Sequence, residues 1–250
     1  MRTLTYQRDL FWEDRDSKAA EAAAKYFNLK EPNLDCFTRV DYKAADFSLI
    51  RGSLDLARRC GRTFSFARAD RWLPAFRESC VNRDAYFTDL LHAGKIIRKE
   101  GAKFLRSVSP FKELAGDVFD LGRYQTELNY QKSKDIMAGG LIVVVAEPVH
   151  IVEECRFIFV NNKLAGWSKY MENGELCVEP NVSEEARELA EYLSDQPYFL
   201  NSFEYTIDLG RVGDSWYLVE VNGFETSSFY AADCDKIYRA WAESLQIEVD

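Results

Sequence analysis

The sequence predicts an α+β chain of two lobes with mainly antiparallel sheets, and three observations carry that expectation. Tyr205 to Tyr230, YTIDLGRVGDSWYLVEVNGFETSSFY, sets two runs rich in β-branched and aromatic residues on either side of the turn residues GDS. Ile151 to Tyr170, IVEECRFIFVNNKLAGWSKY, repeats the pattern around Asn161-Asn162-Lys163. Charge is divided along the chain: the net charge is -9, yet Arg39 to Lys112 holds sixteen Lys or Arg against eight Asp or Glu, a local +8 that leaves -17 for the remainder. A basic lobe followed by an acidic one, joined near Ala138, accounts for that asymmetry.

Composition narrows the functional class. A chain of 250 residues is long enough for a large core. The longest purely apolar run, Leu141 to Ala146, is far too short to span a bilayer, and the opening MRTLTYQRDLFWEDRD carries acids where a signal peptide has an apolar core. The expectation is a cytoplasmic protein without a membrane partner. Cys36, Cys60, Cys80, Cys155, Cys177 and Cys234 include no CxxC pair and accompany only His92 and His150, which disfavours a zinc site and suits reduced thiols. The negative net charge disfavours nucleic acid as the partner, although the basic stretch from Arg51 to Arg71 keeps a polyanion as the alternative.

Taken in order, Asp16 to Phe27 has the alanines and charge pattern of a short helix, stopped by Asn28 and Pro32. A second helix is expected after Ser53 as its N-cap, and Arg51-Gly52 just before it reads either as an anion-holding helix start or as a simple turn. KFLRSV is strand-like, SPFKELAG a loop and DVF the returning strand, with Arg106 and Lys112 bracketing the loop as cations suited to polyphosphate. Neither GxxxxGK[ST] nor GxGxxG occurs. LIVVVAEPV, from Leu141, is the strongest strand and should be buried on both faces. Pro148 lacks an N–H, so the carbonyl of Glu147 and the N–H of Val149 form an acceptor and donor pair that matches an adenine edge. Glu154 and Arg156, two apart on a strand, share a face. Ser183 to Ser194 is an amphipathic helix with Ser183 as its N-cap, and Ala231 to Leu245 is the closing helix.

The first hairpin carries the chemistry. With a turn centred on Asp214, Asp208 and Glu220 stand opposite each other, and Asn222 shares the face of Glu220. Opposed carboxylates repel, so a cation between them is the reason to place them there. Few, hard oxygen ligands with room for water and phosphate suit Mg²⁺. The competing interpretation is a solvated polar sheet face.

The order Arg106, Lys112, buried strand, Glu154-x-Arg156, Asp208 and Glu220-x-Asn222 resembles the ATP-grasp superfamily. FLRSVSPFKELAGDVF, EECRFIFVNNKLAGWSKY and YLVEVNGFETSSFYAAD resemble its small clade named for two arginines and a lysine, found in phages and bacteria. The resemblance implies a pre-ATP-grasp α/β region over residues 1–95 and an ATP-grasp region over 96–250, with a small lobe at about 96–138 and a large lobe at about 139–250. It implies ATP and Mg²⁺, with Arg106 and Lys112 on the phosphates, Glu147, Val149 and Glu154 on the nucleoside, and Arg156 on the transferring phosphoryl group. Asp208, Glu220 and Asn222 would hold the metal. The implied activity is ligation of a small-molecule or peptide carboxylate to an amine through an acyl phosphate. A phosphotransferase or nucleic-acid-modifying enzyme, and a non-catalytic nucleotide-binding regulator, are the alternatives. The chain departs from the clade's usual pattern at FLRS, at Glu147 and at Lys169.

Overall fold

The computed structural model describes residues 4–6, 49–59, 61, 63–134, 136–200 and 202–247. The helix expected over Asp16 to Phe27, and Cys36 and Cys60, lie outside the described residues. Strands β1 (Leu4–Tyr6) and β2 (Leu49–Arg51) pair in parallel, and helices α1 (Leu54–Arg59) and α2 (Ala69–Ala75) follow.

The first sheet has four strands in the order β3-β6-β4-β5, all antiparallel: β3 (Tyr86–Asp89), β4 (Lys103–Ser107), β5 (Asp117–Phe119) and β6 (Ile142–Ala146). Its central strand is the valine run. Val143 and Val145 meet helices α3 (Leu90–Glu100) and α4 (Leu121–Ser133), while Val144 and Ala146 join the core on the other face. Burial on both faces is what a continuous apolar run requires. Each helix starts on an aspartate that accepts the N–H three residues on: Asp89 from His92 at 2.9 Å and Asp120 from Arg123 at 2.8 Å. This sheet takes β3 from before residue 96 and β6 from after residue 139, because the apolar β6 needs a partner on each edge.

The second sheet has five antiparallel strands in the order β11-β10-β7-β8-β9: β7 (Glu153–Val160), β8 (Lys163–Glu172), β9 (Glu175–Glu179), β10 (Glu204–Val212) and β11 (Ser215–Gly223). Asn161 and Asn162 join β7 to β8 with φ of 51° and 57°, the two positive values a two-residue hairpin turn demands. One face of the sheet, with Phe157, Phe159, Tyr205, Ile207 and Leu209, packs under α5 (Glu184–Ser194) and α2. Ser183 caps α5, accepting the N–H of Ala186 at 3.2 Å.

The opposite face divides. At one end Ile158, Val160 and Ala165 are covered by α6 (Cys234–Ile247) through Ile237, Tyr238 and Trp241. Helix and strand approach so closely that a Cβ on Gly166 would lie 2.7 Å from the side chain of Ile237. The other end carries charged side chains, and it faces the four-stranded sheet. No described helix is long and apolar enough to cross a membrane.

Candidate nucleotide and metal site

The register of three strands builds the centre of the site. Asp208 on β10 pairs with Glu220 on β11 and with Arg156 on β7, so the three charged residues form one cross-strand row. The expected opposition of Asp208 and Glu220 is present, and its cause is a bulge. The hairpin turns on Gly213 and Asp214, with Gly213 at φ 59°, a loop that by itself would set Asp208 one residue out of register. The ladder shifts between Asp208 and Leu209, which leaves Val219 unpaired and brings Glu220 opposite Asp208. Gly210 makes room for this: a Cβ there would lie 2.8 Å from methyl groups of Val219 and Ile151.

Asp208 is 1% exposed, so its charge must be met inside the protein. It accepts from Arg156 Nε at 2.8 Å, from Arg156 Nη2 at 2.7 Å and from Asn222 Nδ2 at 3.1 Å. Burial works against the Arg156 charge, but Asp208 outweighs it and raises the guanidinium above its ordinary pKa. Arg156 Nη1 donates to the carbonyl of Ser228 at 3.0 Å, and the guanidinium lies 5.5 and 5.2 Å from the rings of Tyr170 and Tyr230. Those rings stack at 4.9 Å. The Tyr170 hydroxyl donates to Glu154 at 2.6 Å, so Glu154 does share the cleft face with Arg156. Burial, and then the Asp208 and Glu220 charges, push the Glu154 carboxyl up, against the Tyr170 hydrogen bond.

Glu220 is held from the other sheet. Arg106, on β4, reaches across with Nη2 at 2.5 Å from Glu220 Oε1, and Lys112 Nζ lies 3.2 Å away. Arg106 and Phe104 occupy the β4 face opposite Lys103 and Leu105, since side chains alternate along a strand. The guanidinium of Arg106 sits 5.6 Å from the buried ring of Trp72. Lys112 lies in the loop between β4 and β5 at φ 53°, and the loop is pinned by Ser107 Oγ donating to the Leu114 carbonyl at 3.2 Å. Burial pushes the Glu220 carboxyl up, but Arg106, Lys112 and the Asn222 amide overcome it and hold the group at about 2.

Glu147 and Val149 lie elsewhere, in the exposed segment after β6. Both line a surface cavity of about 140 Å³ together with Tyr86, Lys103 and Ala146. Neither Arg106 nor Lys112 lines it. The carboxylate of Glu147 is exposed and accepts from the Lys103 ammonium, whose side chain is 7% exposed. Lys103, Tyr170 and Tyr230 were not singled out from sequence; the one available signal was a lysine opening the apolar strand KFLRS. Lys169 faces away from the row and is tied to Glu179 at 2.9 Å and Glu172 at 3.3 Å. Arg51, read from sequence as part of a helix start or a turn, donates from its guanidinium to the carbonyls of Phe224 and Ser227, because the strand before α1 is buried against the loop after β11.

Among the described residues no three His, Cys, Asp or Glu side chains stand together as a self-sufficient metal cage. Two carboxylates and an amide on one surface are nevertheless the number of protein oxygens that Mg²⁺ takes when phosphates and waters complete its octahedron. The donor set therefore fits Mg²⁺ accompanied by a phosphate ligand, with the Asn222 amide turned to present its oxygen.

Residues 57–243 match the model of the ATP-grasp domain, R2K clade family 3. None of the curated proteins compared with the chain matches it. Among solved structures, the D-cycloserine synthetase DcsG aligns over 98% of this chain and 99% of its own, with a TM-score of 0.65 and 16% identity. The D-alanine–D-alanine ligase from Bacillus anthracis aligns over 99% and 96%, with a TM-score of 0.57 and 10% identity. The ATP-grasp ligase PsnB, in complex with a phosphomimetic variant of its minimal precursor, Mg and ADP, aligns over 98% of both chains, with a TM-score of 0.56 and 10% identity.

Proposed function

Since the chain belongs to the R2K clade of ATP-grasp domains, we propose that it is an ATP-dependent ligase joining a carboxylate to an amine through an acyl phosphate, with release of ADP and phosphate. The observation that carries this reading is the meeting of Arg106 and Lys112, from one sheet, with the Arg156–Asp208–Glu220 row of the other. A polyphosphate needs cations on one side and metal ligands on the other, and phosphoryl transfer asks for little beyond positioning and charge neutralisation.

A carboxylate repels nucleophiles and has no usable leaving group. In the first step its oxygen forms a bond to the γ-phosphorus of ATP, the bond from that phosphorus to the β,γ-bridging oxygen breaks, and ADP departs. Arg106 and Lys112 would offset charge on the phosphates, and Arg156, held by Asp208 and the Ser228 carbonyl, is assigned to the transferring group. Asp208, Glu220 and Asn222 would hold Mg²⁺, which supplies charge neutralisation at the phosphate oxygens when bound. In the second step the amine attacks the acyl carbon, loses its proton, and phosphate leaves. Closure of the two sheets around this intermediate would keep water from it.

Among the described residues, the two thiols buried beneath the second sheet give no support to a covalent route. Burial pushes Cys155 upward and Cys80 to about 12, which leaves both as thiols at neutral pH. The backbone after β6, at Glu147 and Val149, is assigned to the base, with Glu154 on the nucleoside. Recognition of the acid and amine, small molecules or peptides, is assigned mainly to residues 1–95. The experiment is hydroxylamine trapping: with ATP, Mg²⁺ and a screen of amino acids and short peptides, a hydroxamate should form with ADP and phosphate as co-products. Stable phosphate on an acceptor hydroxyl, or AMP with pyrophosphate, would replace the ligase by a phosphotransferase or an adenylating enzyme.

A further inference from the structure

Arg51, at the end of β2, is 2% exposed and lies before the family-matched span. Its Nη1 donates to the carbonyls of Phe224 at 2.5 Å and Ser227 at 2.8 Å, and its Nε donates to the Tyr238 hydroxyl at 3.0 Å. The flat face of the guanidinium lies 3.9 Å from the Phe229 ring centroid. The next residue adds a third anchor, Gly52 N–H donating to the Glu225 carbonyl at 2.9 Å. Two consecutive residues of the N-terminal strand thus hold three carbonyls of a single turn, Phe224 to Ser227.

That turn is continuous with the site at both ends. Asn222, which bonds Asp208, precedes it by two residues, and the Ser228 carbonyl that receives Arg156 follows it directly. Ser227 Oγ also bonds Thr206 at 3.1 Å on β10 and donates to Gly223 at 2.8 Å, so a shift of the turn would be felt in the strands bearing Asp208 and Asn222. Burying a guanidinium is costly, and a fold selected only for stability is served as well by apolar residues of similar volume. What arginine adds is a rigid, planar set of donors that fixes several acceptors relative to one another, which the single ammonium of lysine does not reproduce.

The geometry points to Arg51 as a positioning residue: it clamps the Phe224–Ser227 turn from the N-terminal strand and so sets Asn222 for the metal. This rests on the nucleotide and metal reading above. The site then depends on a strand that precedes the family-matched span.

The test is titration of a non-hydrolysable ATP analogue by calorimetry across a series of Mg²⁺ concentrations, with thermal unfolding measured on each variant. Arg51→Lys and Arg51→Met should raise the Mg²⁺ concentration for half-maximal binding by about tenfold or more, while binding without Mg²⁺ stays at the parent level. Tyr238→Phe, which leaves Arg51 in place but removes the acceptor at Nε, should shift it about twofold in the same direction and decides the matter if the Arg51 variants do not fold. A purely structural role predicts lower unfolding temperatures with an unchanged Mg²⁺ dependence in every folded variant, and that result overturns the inference alone. A parent chain that binds no analogue at any Mg²⁺ concentration overturns the nucleotide reading and this inference together.

Discussion

Two ion pairs share one cross-strand row and differ in what they are built to do. Arg156 and Asp208 stand on adjacent strands of one sheet, both buried, with two parallel hydrogen bonds between them. Glu220, the next residue along the row, pairs instead with Arg106 and Lys112 from the other sheet, across a sequence gap of more than a hundred residues. The first pair is assembled as soon as its sheet folds. The second forms only when the two sheets approach, and its cations can turn to a phosphate without breaking any strand pairing. A preorganised half and an exchangeable half are what a site needs if it must hold its ligands ready and still admit a polyanion.

Arg156 separates the two pairs by the largest expected effect. Arg156→Met leaves the buried Asp208 side chain beside the Asn222 amide without its cation, and removal of one partner of a buried pair costs about 3–5 kcal/mol. Denaturant unfolding should show that loss, and a cost near zero would mean the pair is no part of the scaffold.

Glu220 gives the next largest effect, through pH. Its carboxyl is held at about 2 in the folded chain against an ordinary value of 4.5, so its stabilising contribution is complete above 4.5 and is lost as pH falls toward 2. Parent and Glu220→Gln should therefore differ in stability by about 1–3 kcal/mol at pH 6 and converge by pH 2. A difference independent of pH would remove the cross-sheet pair as its source.

Arg106→Ala and Lys112→Ala address the exchangeable half. Each removes a charged hydrogen bond of about 1.5–3 kcal/mol, so ATP affinity should fall about 10- to 100-fold while adenosine affinity is unchanged. Equal losses for both ligands would take these residues out of the phosphate site. The smallest effect is expected at Asn162→Ala, far from the row, where a positive φ without a tolerant side chain costs about 1–2 kcal/mol of stability and leaves nucleotide affinity alone.

Local chemistry made much of this legible. Asn161-Asn162 declared its hairpin, Ser183 its helix, and the valine run its place at the centre of a sheet, because each depends on neighbours in sequence. The opposition of Asp208 and Glu220 was also expected, but from a turn centred on Asp214; the real turn is one half-residue earlier, and the bulge at Val219 compensates. Bulges answer to packing against Ile151 and leave little trace in the residues that form them. Arg51 and Lys103 were opaque for a related reason: their partners, Phe224, Ser227 and Glu147, are distant in sequence, and a lone cation carries no sign of what it will face.

The central claim is that Glu220, on the metal side, and Arg106 with Lys112, on the phosphate side, grip one Mg²⁺-bound nucleotide between the sheets. Glu220→Gln tests it most directly, because it keeps the shape and hydrogen-bonding reach of the side chain and removes only its charge. Measured as Mg²⁺-dependent ATP turnover in the presence of an acceptor acid, with thermal unfolding followed in parallel, the variant should remain folded and lose at least about 100-fold in rate. A folded variant that turns over ATP at the parent rate would make the row a structural feature of the sheet and contradict the account.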